Sequence, residues 1–161
     1  MKKLLLIMCV AILGTTSAFA LDKGDKAIGI NILYGTEIES MGVGAKAQYV
    51  FLDHWRAEAA FNYFFERKST HMWEINLTAH YLINLGDKFR VYPLAGPTVV
   101  NATTDLDGNG VNMSQTKFGL NLGGGVEYSI SDNFSVGFEA RYSIVSKIDQ
   151  AVFSLGAAYH F

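Results

Sequence analysis

The sequence predicts an all-β protein: an eight-stranded antiparallel up-and-down transmembrane β-barrel. Three observations carry this. Eight segments alternate apolar residues with small, polar or charged ones at period 2. The chain is 50% hydrophobic, yet no run of 18 apolar residues follows Ala20 to form a spanning helix. The connections alternate between tight and longer. Only helices and closed barrels satisfy every backbone polar group inside a bilayer, so a barrel reconciles the three.

The first residues stand apart. Lys2 and Lys3 precede an apolar run over 4–14, and Ala18-Phe19-Ala20 has the form of a cleavage site. This is the pattern of a secretory signal peptide over 1–20, leaving a barrel domain over 21–161. The apolar run is shorter than the ~20 residues a bilayer-spanning helix needs. Cys9 lies within it after Met8, where a lipoprotein site wants a small residue. It is the only cysteine, which excludes a disulfide framework and a cysteine-ligated zinc site. With 13 Lys+Arg against 15 Asp+Glu, the chain lacks the basic excess of a nucleic-acid binder.

The strands follow in order. Segment 28–34 sets Ile28, Ile30, Ile32 and Tyr34 against Gly29, Asn31 and Leu33. Segment 41–51 sets Met41, Val43, Ala45, Ala47, Tyr49 and Phe51 against Gly42, Gly44, Lys46, Gln48 and Val50. Segment 55–65 places Ala57, Ala59, Phe61, Tyr63 and Phe65 opposite Arg56, Glu58, Ala60, Asn62 and Phe64. Segment 73–83 alternates Trp73, Ile75, Leu77, Ala79, Tyr81 and Ile83 with Glu74, Asn76, Thr78, His80 and Leu82. Segment 89–99 carries Pro93 and Pro97 on one face and is expected to be bent or locally bulged, because proline breaks ladder bonds. Segments 118–130, 134–144 and 152–161 complete the set. Each has about the length a tilted membrane strand needs, and eight is an even number, as in single-chain bacterial barrels.

Connections 52–54, 84–88 and 131–133 are tight, while 35–40, 66–72, 100–117 and 145–150 are longer or more polar. Short turns face the periplasm and longer loops face outside, so both termini are expected in the periplasm. Phe51, Trp55, Phe89, Tyr128, Phe134, Tyr159 and Phe161 would ring the periplasmic interface. Tyr34, Phe65, Trp73 and Phe118 would ring the outer one, since amphipathic rings favour the headgroup level. A soluble calycin-like barrel is the rival. Against it, the outward set carries no charge, while glycines and charges share the other face.

The chain ends Ser154-Leu155-Gly156-Ala157-Ala158-Tyr159-His160-Phe161. Ser154, Gly156, Tyr159 and Phe161 match the β-signal read by the bacterial barrel assembly machinery. With the leader and the eight-strand pattern, the chain resembles the small OmpA/OmpX-like barrels of the porin family. The resemblance covers 21–161 and implies a monomer in the cell outer membrane of a Gram-negative-type bacterium, among its lipids and lipopolysaccharide. The chain carries no counterpart of the periplasmic peptidoglycan-binding domain of OmpA, so no anchoring role is expected. OmpX-type barrels raise long strands above the membrane; the short connections here predict no such protruding sheet.

The inward set holds Lys46, Arg56, Arg90, Lys117 and Arg141 against Glu58, Glu74, Glu127 and Glu139, with His80 and His160 on the same side. A narrow low-dielectric interior demands pairing, because an unpaired buried charge is costly. These residues are expected to form an ion-paired plug, with Glu139 sharing a face with Arg141 and Glu127 within reach of Arg141. The function expected is structural or surface interaction. The alternative is a narrow or gated pore opened by rearranged pairs. A lipid A-modifying enzyme ranks last: His80-Tyr81-Leu82 lacks an inward Ser two residues on, and a nucleophile needs its base within hydrogen-bond reach. No catalytic residue, cofactor or metal site is assigned. Asp105, Asp107 and Asn109 have the spacing that opens an EF-hand loop, but position 12 is Thr116 rather than Glu. They are read as a solvated turn able to contact an extracellular ligand or divalent ions bridging lipopolysaccharide.

Overall fold

The computed structural model describes residues 22–67, 70–105, 112–147 and 149–161. The leader, Asp107 and Asn109 lie outside the described residues. Among the described residues nine strand segments follow in order: β1 (Lys26–Gly35), β2 (Ser40–Leu52), β3 (Trp55–Arg67), β4 (Thr70–Tyr81), β5 (Ile83–Asn84), β6 (Phe89–Asp105), β7 (Asn112–Ser131), β8 (Phe134–Val145) and β9 (Gln150–His160). Each pairs antiparallel with its neighbours, and β1 pairs with β9, closing the sheet. The short β5 continues β4 along the same edge of β6 in the same register. The barrel therefore has eight staves. Its ends are tied where the Lys26 N–H donates to the Phe161 carbonyl at 3.3 Å and the Phe161 N–H to Lys26 at 2.9 Å.

Period-2 alternation sets the orientation of every strand. Ile28, Ile30 and Ile32 are exposed on the outer wall, and Ala27, Asn31 and Leu33 of the same strand are buried in the lumen. Ile30 is 70% exposed and Phe118 79%, whereas Glu74, His80 and Asn121 are fully buried. This inverts a soluble protein, in which large apolar side chains go inside. A soluble barrel is excluded by that inversion, since its apolar set would line the interior.

Segment 89–99 corrects one expectation. β6 is neither bulged nor out of register: it pairs without a shift against β7 from Phe89↔Tyr128 to Asp105↔Asn112. Pro93 and Pro97 act on the other edge. The β4 ladder is interrupted opposite Pro97 and again opposite Pro93, where β4 gives way to β5. Each proline removes one N–H donor, and the missing bonds fall on the β4 side. The observed register shifts lie elsewhere, at strand ends: 50/52, 64/67 and 129/131.

The connections at the outer end are corrected too. Segment 66–72 is mostly strand, since β3 runs to Arg67 and β4 starts at Thr70. Segment 100–117 is mostly hairpin, with β6 of 17 residues and β7 of 20. Its polar composition reads as loop, but cross-strand bonds hold it. The Asn101 amide donates to Thr116 Oγ1 at 2.8 Å and to Ser114 Oγ at 3.0 Å. The expectation of no protruding sheet is thus overturned. Against β8, pairing of β7 begins only at Gly119↔Val145. Residues 112–118 rise above it with no β8 partner among the described residues.

Ile30, midway along β1, tests the orientation. Ile30→Arg is expected to destabilise the barrel by about 2–4 kcal/mol, the midplane cost of a charge on the lipid face. Urea unfolding in lipid vesicles, followed by tryptophan fluorescence, measures it. A change below about 0.5 kcal/mol, the ordinary surface value, would mean that this wall faces water.

Candidate functional site: the ion-paired lumen

Each inward charge is placed by strand parity. Arg56 and Glu58 come from β3, Glu74 and His80 from β4, Arg90 from β6, Glu127 from β7, Glu139 and Arg141 from β8, and Lys46 from β2. All but Lys46 are buried; its side chain is 13% exposed.

Two clusters form. Toward the short-turn end, Glu127 takes both Arg56, at 2.8 Å from Nη1 to Oε2, and Arg90. Arg56 also lies 4.9 Å over the ring of Tyr92, and its Nη2 is 3.1 Å from His80 Nδ1. Tyr92 stacks on His80 with centroids 4.7 Å apart and planes 6° from parallel. The arginine is a donor only, so Nδ1 accepts and His80 carries its proton on Nε2. That nitrogen faces Thr78 Oγ1 at 2.9 Å. In the second cluster Arg141 pairs with Glu74 and, at 3.4 Å, with Glu139. Asn62 and Asn76 donate to Glu74 Oε1 at 2.8 and 2.9 Å. Asn121 donates to Asn76 at 2.7 Å and accepts from Ser143 at 2.6 Å. Lys46 pairs with Glu58 at 3.4 Å, and Gln48 donates to the same carboxylate at 2.6 Å. The Tyr92 hydroxyl donates to Glu139 at 3.2 Å, joining the clusters.

Two expectations change. Glu127 does not reach Arg141. In the β7–β8 register Glu127 sits opposite Gly137 and Arg141 opposite Gly123, four residues apart, or roughly 13 Å at strand rise. Glu127 instead lies directly across from Arg90. Lys117 has the inward parity but stands at the outer rim, where Nζ donates to the Ser146 carbonyl at 2.9 Å. The lumen set is therefore Lys46, Arg56, Arg90 and Arg141 against Glu58, Glu74, Glu127 and Glu139, balanced in sign. His160 is inward as read, with Nε2 2.8 Å from Ser135 Oγ.

Sequence reasoning left Tyr92 and the amides out of the network. The signal was present in parity: Tyr92 lies between Arg90 and Leu94 on the inward face, and Asn62, Asn76 and Asn121 share the faces of the charges. Assigning partners needed the shear of the closed barrel, which no single strand carries.

The lumen leaves a cavity of about 10 Å³ beside Glu58, Glu139, Asn121 and Ser154, about one water's worth. Glu58, His80 and Glu139 each offer an atom within 4.8 Å of the others. They do not fit a cation. Both His80 nitrogens are already bonded, and the surrounding charges already balance, so a divalent ion would leave excess positive charge in a low dielectric.

Glu127→Gln leaves Arg56 and Arg90 without their carboxylate. It is expected to cost about 3–5 kcal/mol, the penalty for breaking a buried pair. Lys117→Gln, at the rim, should stay within about 0.5 kcal/mol. Parallel urea titrations compare them; equal effects would place Glu127 outside a buried network.

No curated protein matches this chain. Solved structures match over most of their length. The N-terminal β-barrel domain of Pseudomonas aeruginosa OprF superposes with a TM-score of 0.70 at 18% identity, covering 84% of this chain and 97% of that one. Neisserial surface protein A gives 0.70 at 17% identity, covering 87% and 98%. Ail, the attachment invasion locus protein of Yersinia pestis, gives 0.64 at 21% identity, covering 87% and 100%. At these identities the likeness is one of fold. The model of the outer membrane protein beta-barrel domain matches residues 10–161. The chain belongs to that family, and it is an outer-membrane β-barrel protein.

Proposed function

We propose that this barrel is a closed, monomeric platform in the outer membrane that presents the β6–β7 hairpin to an extracellular partner. The single observation that carries the reading is the edge of β7 over residues 112–118, which has no β8 partner among the described residues. The outer face of the hairpin turns polar at Asn101 and Thr116, above the exposed Phe118. Lipid does not suit such a surface, so this part of the sheet stands in water or among lipopolysaccharide headgroups. An open edge there offers backbone N–H and C=O groups to an extended peptide, which adds as a further strand. Asp105 ends β6; a ligand contact by Asp105, Asp107 and Asn109 is part of this proposal, the last two lying outside the described residues.

The lumen supports the closed half of the reading. Its side chains fill the bore and its charges pair across strands, which leaves the loops as the route to a partner. The C-terminal residues serve biogenesis in this account. Tyr159 and Phe161 are exposed on the outer wall, available to the assembly machinery, while Ser154 and Gly156 face the lumen. The reading assigns no catalytic step.

The test uses the refolded barrel in detergent and immobilised, reduced and alkylated serum albumin as an extended-chain probe. Replacing residues 102–115 by a two-residue turn is expected to lower binding about tenfold, the loss of a few strand-pairing bonds, with the heat-shifted gel band intact. Unchanged binding would overturn the hairpin as the contact surface. Stepwise conductance of the unaltered barrel in a planar bilayer would replace the closed reading with a narrow or gated pore.

A further inference from the structure

We infer that the barrier between the lumen and the outside is an apolar layer above the ion pairs, and that the ion-paired network is not itself the seal. Leu33, Phe64, Met72, Val100, Val145 and Val152 form one packed cluster, each no more than 2% exposed. They come from six strand segments, β1, β3, β4, β6, β8 and β9, so the layer spans the bore instead of lining one wall. Ile38, from the connection between β1 and β2, and Ala102 pack against it.

Glycines on the inward face make the layer fit. A Cβ on Gly35 would stand 3.0 Å from Ile38 Cγ1 and 3.2 Å from Phe64 Cε1. One on Gly42 would overlap Leu33 Cδ1, and one on Gly119 would overlap Val145 Cγ2. The volume left by missing side chains is filled by apolar groups reaching across. The order of the layers follows along the strands. On β9, Val152 lies one inward step nearer the outer end than Ser154, which lines the polar cavity with Glu139 and Arg141. Phe64 and Met72 face each other one inward step above Asn62 and Glu74. A solute entering from outside meets hydrocarbon before it meets the ion pairs.

The consequence concerns access. A narrow apolar constriction excludes water and ions by dewetting. Exchanging salt-bridge partners beneath it would not by itself connect the lumen to the outside. Replacing one apolar member with a polar residue of the same size would. This rests on the closed lumen proposed above.

The experiment reads the rate at which a membrane-impermeant, positively charged methanethiosulfonate modifies Ser154→Cys from the outer face of whole cells, in a Cys9→Ala chain. With the layer unchanged, Ser154→Cys should react at least about a hundredfold more slowly than the exposed Ser114→Cys, since modification then requires local opening. Met72→Gln, close in volume, should raise the rate about tenfold by wetting the layer. Phe64→Ser provides a second variant should Met72→Gln fail to give the heat-shifted band. Glu139→Gln with Arg141→Gln should leave the rate within about twofold, if the network is not the seal. Rapid modification with the layer unchanged would overturn the inference, as would acceleration by the network variant but not by either layer variant. Conductance of the unaltered barrel reports closure separately: steps there would sink the closed lumen, whereas fast modification without steps would sink only the apolar seal.

Discussion

Closure of the sheet on itself is the constraint from which the rest follows. Inside hydrocarbon each unsatisfied N–H or C=O costs several kcal/mol, and the β1–β9 ladder removes the two edges an open sheet would leave. Closing with eight staves fixes a bore just wide enough for side chains to fill. Charges there have little water to turn to. They are retained only as a set in which Arg56 and Arg90 share Glu127, and Glu74 and Glu139 share Arg141. The balance of four bases and four acids is a consequence of a narrow closed bore. Lys117, which would break it, sits at the rim and bonds a carbonyl.

The fold was legible because one face of every stave meets lipid. Period 2 then fixes orientation, and a slip by one residue would turn the whole apolar set inward. This explains why Lys46, Arg56, Glu58, Glu74, Arg90, Glu127, Glu139 and Arg141 could all be placed in the lumen from sequence. Parity does not carry height, however. Two inward residues on adjacent strands meet only if the stagger of the barrel brings them level, which is why Glu127 pairs with Arg90 and not with Arg141. Strand ends were poorly legible for a related reason. Beyond Val99 and Phe118 the outer face of the β6–β7 hairpin turns polar. Residues 101–105 and 112–116 therefore lose the alternation and look like loop, although backbone pairing continues through them.

The prolines show the same division between what a face and an edge require. Pro93 and Pro97 are both outward, where their rings suit lipid, and both interrupt the ladder to β4 while leaving that to β7 whole. The predicted bulge rested on proline's cost to a ladder without knowing which ladder would bear it. The chain concentrates the loss on one seam, where β4 ends at Tyr81 and β5 resumes the same register at Ile83.

The two lumen layers answer to different physics, and this separates stability from access. An ion-paired layer is expensive to break and specific about geometry: removing one carboxylate strands its partners, so it favours one arrangement of strands over its neighbours in register. An apolar layer is more tolerant of exchange among hydrocarbon side chains, but it excludes water only while it remains apolar. Leu33, Phe64, Met72, Val100, Val145 and Val152 thus constrain what passes, and Arg56, Glu74, Glu127 and Arg141 constrain how the staves align. A chain of this size can hold both because the layers stack along the bore and do not compete for the same inward positions.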